Sequence, residues 1–186
     1  MNKLQEDGLQ IDFVGAQHAM KFDQNDPDHP EYHDLQSMPR VDFIVEIEDA
    51  IYFIEVKDPG RPDAVDVGGT KLLKKIVEGT LGASLIEKYL FSFFFRWAEC
   101  RLEKSVHYVS LITLESPLLQ PIIDGLERQL TNLSRKSVRW DREPLASCQV
   151  HNIETWQAVF PNWPVTRLAA VVAGGEIGRA SCRERV

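Results

Sequence analysis

Cysteine is scarce in this chain. Cys100, Cys148 and Cys182 are the only three, and none sits in a CxxC pattern. That excludes a disulfide scaffold and a zinc knuckle as organising features. Positive charge is short as well: 21 Lys and Arg against 28 Asp and Glu give a net charge of −7. A broadly basic nucleic-acid coat is therefore excluded, although an acidic protein can still be basic along one groove. No apolar run reaches the roughly 20 residues of a membrane-spanning helix. The richest, Tyr89 to Phe95, is interrupted by Ser92 and flanked by Glu87, Lys88 and Arg96. Met1 to Asp12 is polar and lacks the apolar centre of a signal peptide, so a cytoplasmic location and no membrane partner are expected. The five histidines show no HExxH spacing, and His29 and His33 lie in a proline-broken loop. Gly68-Gly69-Thr70-Lys71 lacks the first glycine of a phosphate loop.

What is present is ordinary for one globular domain: 186 residues, 44% hydrophobic and 26% charged. The last eleven residues, EIGRASCRERV from Glu176 to Val186, resemble an in-frame translation of a sequencing adapter. Set aside as a fusion scar would be, they take three arginines, two glutamates and Cys182 with them, and the net charge moves from −7 to −8. A single domain over residues 1–175 is expected.

The pattern predicts an α/β fold. Met1 to Leu9 reads as a short helix or a frayed arm, and Ala19 to Phe22 as a strand. Asn25 to Pro39, rich in proline and acids, reads as an exposed loop. Val41 to Ile47 and Ile51 to Lys57 read as paired strands, stopped by Asp58-Pro59-Gly60. Lys71 to Glu78 begins a helical stretch. Ala83 to Lys104 reads as a long helix, apolar nearly all round at its centre and therefore buried. A strand (Val106 to Leu114), an amphipathic helix (Pro117 to Leu133), a basic connector (Arg135, Lys136, Arg139, Arg142), a short strand (Ser147 to Asn152) and a short helix (Ile153 to Phe160) complete the series. Trp140, Trp156 and Trp163 are read as packing residues. This order gives a mixed central sheet flanked by helices.

One constellation carries chemistry. If Asp49-Ala50 forms a two-residue turn, Asp42 falls opposite Lys57 and Ile44 opposite Glu55. Alternation then places Asp42, Glu55 and Lys57 on one face at one end of the hairpin. A turn of odd length would put Asp42 on the wrong face. Mg²⁺ takes hard oxygen ligands and keeps several waters, so two carboxylates plus the Val56 carbonyl and substrate oxygens suffice. Bound metal acidifies water and offsets phosphoryl charge. The Lys57 ammonium would orient the water, stabilise developing charge, or accept the proton if its pKa falls. Glu46 and Glu48 lie on the same side of their strand as Asp42, and a solvated strand end is the simpler reading for both.

Asp42, with twelve residues between it and Glu55-Val56-Lys57, resembles the metal-binding core of the PD-(D/E)XK nuclease superfamily, the restriction-endonuclease-like fold. The segments VDFIVE, FIEVKDPG, LIEKYLFSFFFRWAE and HNIETW resemble a bacterial group within it. The resemblance implies Asp42 and Glu55 as metal ligands, Lys57 as the catalytic lysine, and a further lysine on the following helix. Lys88, Lys74 and Lys71 are candidates for the last, and Lys88 is favoured because it interrupts an apolar helix. Here Val41 stands where the family has proline. The opening helix that often supplies a glutamate is represented by Glu6 at most. The implied activity is Mg²⁺-dependent (or Mn²⁺-dependent) hydrolysis of nucleic acid, most simply DNA, by an endonuclease. The alternative is an inactive domain of the same fold that binds nucleic acid or protein.

Overall fold

The computed structural model of the chain describes residues 2–32, 34–35, 37–59, 70–134 and 137–168. The eleven-residue tail, His33, the Gly68-Gly69 pair, and Arg135 and Lys136 lie outside them. The N-terminus is neither helix nor frayed arm. It is a hairpin in which β1 (Lys3–Glu6) pairs antiparallel with β2 (Leu9–Asp12). Asp7 and Gly8 make its turn, with φ of 48° and 76°. Asp-Gly suits a tight hairpin turn because both residues tolerate left-handed backbone. Leu9, Ile11 and Phe13 alternate inward and are buried.

β3 (His18–Lys21), β4 (Phe43–Glu46) and β5 (Ala50–Lys57) form an antiparallel run. The turn between β4 and β5 is Glu48-Asp49, one residue earlier than expected; Ile47 N–H donates to the Ala50 carbonyl at 2.9 Å. The physical reason is burial: Ala50 is 4% exposed and joins the strand, while Glu48 and Asp49 face solvent. The register shifts accordingly. Phe43 faces Ile54 and Ile44 faces Phe53, so Asp42 falls opposite Glu55 rather than Lys57. The turn still has an even length, and the shared face of Asp42, Glu55 and Lys57 survives.

α1 (Thr70–Val77) and α2 (Thr80–Ala98) lead to β6 (Ser105–Ile112), which lies parallel to β5. α3 (Ser116–Ser134) leads to β7 (Ser147–His151), parallel to β6. α4 (Ile153–Val159) and β8 (Val165–Arg167) follow. The main sheet is mixed, in the order β3-β4-β5-β6-β7, and a second sheet runs β1-β2-β8. The sequence pattern expected the first of these and missed β1, β2 and β8. No helix among the described residues is long and apolar enough to cross a membrane.

The main sheet is covered on both faces. Leu81, Leu85 and Tyr89 of α2 and Ile122 and Leu126 of α3 pack on Ile44, Ile51, Phe53 and Tyr108. On the other face Leu9, Ile11, Phe13, Trp156 and Trp163 pack on Phe43, Val45, Ile54 and Val56. Strands buried on both faces read as continuous apolar runs, which is why β5 (AIYFIEVK) is apolar except at its last turn of chemistry, Glu55 and Lys57.

α2 departs from expectation in two ways. It ends at Ala98, six residues early, and it is buried on one face only. Leu90, Phe94 and Trp97 are exposed, as is Trp140, so these apolar side chains do not all serve the core. The helix stops at a left-handed residue, Cys100 (φ 57°). Arg101 N–H donates to the Arg96 carbonyl and Cys100 N–H to the Trp97 carbonyl, a Schellman ending that usually employs glycine.

Candidate active site

The site forms where β4 and β5 part. Asp42 precedes β4 by one residue. Its carbonyl accepts from Phe22 N–H at 2.8 Å, and Val41 N–H donates to the buried Ser92 Oγ of α2 at 3.0 Å. The backbone of β4 has left β5 at this point. The Val56 N–H donates instead to Asp42 Oδ2 at 2.6 Å, so a side chain replaces the ladder. A strand residue turns its N–H and C=O to the same neighbour, so the Val56 carbonyl shares that edge. The Asp42 side chain is thereby fixed in place by the Val56 N–H.

Asp42 and Glu55 are 2% and 0% exposed. Buried carboxylates require cationic or hydrogen-bonding partners, and two lysines supply them. Lys88 Nζ, from α2, lies 2.6 Å and 2.8 Å from the two Glu55 oxygens and 3.7 Å from Asp42 Oδ1. Lys57 Nζ lies 2.9 Å from Glu55 Oε1 and 3.8 Å from Asp7 Oδ2 at the N-terminal hairpin turn. Burial pushes the Asp42 carboxyl up to about 8; the Glu55 charge adds to this, and Lys57, Lys88 and the Val56 N–H oppose it. Burial pulls the Lys57 ammonium down, but Glu55, Asp42 and Asp7 outweigh it and hold the group above its ordinary range. Proton acceptance by Lys57 is expected only if its pKa falls, and here the direction is upward.

The four expected residues, Asp42, Glu55, Lys57 and Lys88, come together. The others do not. Lys74 and Lys71 are exposed on α1, and Lys74 pairs with Glu78. Glu6 pairs with Lys21 at 2.8 Å. Glu46 accepts from Arg96 at 2.6 Å, well down the strand from Asp42. Arg139 and Arg142 are exposed, and Arg142 donates to the Leu102 carbonyl.

Two neighbours were not anticipated. Asp7 comes to the site from the hairpin turn, and the Asp7-Gly8 pair was the available signal. Arg167 of β8 pairs with Asp58 Oδ1 at 3.1 Å, and Thr113 Oγ1 also donates to Asp58, which is 6% exposed. Leu168 N–H donates to the Gly8 carbonyl at 2.8 Å. These contacts tie β8 and the first hairpin to the end of β5.

Among the described residues no group of three or more His, Cys, Asp or Glu side chains is arranged to hold a metal ion. Two carboxylates with an adjacent backbone carbonyl are a hard oxygen set of the size Mg²⁺ uses, since that ion keeps several waters and takes substrate oxygens. The raised Asp42 pKa fits the same need, because a cation is what would favour its ionised form. No family profile, curated protein or solved structure matches the chain.

Proposed function

We propose that this protein is a Mg²⁺-dependent phosphodiesterase acting on nucleic acid, most simply an endonuclease of DNA with the restriction-endonuclease-like arrangement. The observation that carries the reading is the pairing of two buried carboxylates, Asp42 and Glu55, across a strand split, with two lysine ammonium groups on them. Asp42, Glu55 and the Val56 carbonyl would hold the ion. When bound, it neutralises phosphoryl charge and lowers the pKa of water.

The remaining work falls to the chain's own groups. Val56 N–H keeps Asp42 from rotating. Lys88 orients Glu55 by engaging both of its oxygens. Lys57 is partly exposed at the rim, with its charge secured by Glu55 and Asp7. It would bind a non-bridging phosphate oxygen and stabilise the charge that develops there. The acidic surface adds no general attraction for polyanions, so substrate affinity rests on this local charge.

A second reading is a domain of the same fold that binds nucleic acid or protein without cutting. The engagement of both Glu55 oxygens by Lys88 favours it. Incubation of plasmid DNA, single-stranded DNA and RNA with Mg²⁺ or Mn²⁺ separates the two, run beside Lys57→Ala. Metal-dependent cutting that Lys57→Ala abolishes supports the enzyme. Folded protein that neither cuts nor binds Mn²⁺ supports the binding domain.

A further inference from the structure

The two lysines at the site are not equivalent. Lys57 Nζ lies 2.9 Å from one oxygen of Glu55 and 3.8 Å from Asp7 Oδ2. Lys88 Nζ spans the pair, at 2.6 Å and 2.8 Å from the Glu55 oxygens and 3.7 Å from Asp42 Oδ1. Its side chain is 17% exposed, and on α2 it adjoins the buried residues Leu85, Tyr89 and Ser92. An ammonium in that position does for the two carboxylates what a divalent cation would do.

We propose that Lys88 is the resident counter-ion of the metal site, holding the carboxylates when no metal is bound and competing with metal for them. This rests on the metal-site reading above and adds a regulatory consequence to it. Two buried carboxylates without a cation would force the site open or protonate. Lys88 meets that need at Glu55, through both of its oxygens, so the site forms without metal. The same ammonium repels an incoming cation and must release Glu55 before the ion can take its oxygens. Metal binding is then an exchange, and affinity is weaker than the donor set alone would give. Lys88 has a flexible stem of four methylenes, so its charge can withdraw without movement of α2.

Mn²⁺ titration of wild type, Lys88→Met, Lys57→Met and Asp42→Asn by calorimetry tests this, with circular dichroism to verify folding. Lys88→Met keeps an unbranched stem, shorter by the terminal nitrogen, and deletes the charge. It is expected to bind Mn²⁺ at least about tenfold more tightly than wild type. Lys57→Met is expected to change affinity less, and Asp42→Asn to bind little. If Lys88→Met does not fold, Lys88→Gln, which keeps a hydrogen-bond donor, is expected to show the same direction. Equal or weaker binding by the Lys88 variants overturns the proposal, because Lys88 then only orients Glu55. Equal tightening in the Lys57 and Lys88 variants also overturns it, since net charge would account for both. Binding by wild type that Asp42→Asn abolishes keeps the metal-site reading standing in either case. Absence of Mn²⁺ binding in every variant ends both.

Discussion

Asp42→Asn sets the stability of the fold against the chemistry of the site. Asp42 is 2% exposed, and burial beside Glu55 raises its carboxyl to about 8 from an ordinary 3.8. A carboxyl raised in this way contributes fully only below its unfolded pKa, and the contribution is lost as pH rises through the folded one. From about pH 4 to about pH 8 the folded chain retains a proton that the unfolded chain has released. Each pH unit in that window costs about 1.4 kcal/mol. At neutral pH the wild-type fold therefore carries a penalty on the order of 4 kcal/mol that a neutral amide of the same shape avoids. The Asn oxygen can still accept from Val56 N–H. The Lys88 charge, 3.7 Å away in the wild type, is already part of the Asp42 shift. Asp42→Asn is expected to be more stable by a margin on the order of 4 kcal/mol at neutral pH, with the difference vanishing near the low end of the window and constant above its high end. Urea denaturation in EDTA, repeated across that pH range, measures it. A variant less stable than wild type throughout, or a difference that ignores pH, would refute the argument. Under the proposed function the same substitution abolishes cleavage, so stability and activity move in opposite directions.

Other expectations follow from the packing. Cys100→Gly relieves a left-handed residue at the end of α2 and is expected to add about 1 kcal/mol, raising Tm by about 2–4 °C in a thermal melt. Burial pushes the Cys148 thiol up to about 12, while Cys100 is exposed; in a Cys182→Ser background a thiol reagent at mildly alkaline pH is expected to modify Cys100 at once and Cys148 only on unfolding. Ser92→Ala leaves the Val41 N–H buried without its acceptor and is expected to cost about 1–3 kcal/mol in denaturant titrations, with cleavage falling as Asp42 loses its anchor.

The parity of the β4–β5 hairpin was legible because charged residues on an otherwise apolar strand mark a face, and faces alternate strictly. Its register was not, because the choice between Asp49-Ala50 and Glu48-Asp49 depends on whether Ala50 meets the core, a tertiary fact. Lys88 was legible as a charge inside an apolar helix. Asp7 was not, since its partner Lys57 lies fifty residues away and the polar strands around Asp7 masked the turn. β8 was invisible for the same reason: three residues with one buried side chain carry almost no pattern. The all-round apolar character of α2 overstated its burial, because composition counts Leu90, Phe94 and Trp97 without saying which way they point.

The sheet β1-β2-β8 joins the two ends of the described chain, with Gln10 opposite Thr166. During synthesis the first hairpin emerges early and waits until Val165–Arg167 have been made before its outer strand exists. Phe13 lacks Trp163, its edge-on ring partner at 5.3 Å, for all of that time. The carboxylates and lysines can assemble sooner, since Asp42, Glu55, Lys57 and Lys88 all precede β6. Arg167 on Asp58 and Leu168 on Gly8 close the rim only at the end. A ribosome-bound chain thus holds its charged centre before it holds the boundary around it.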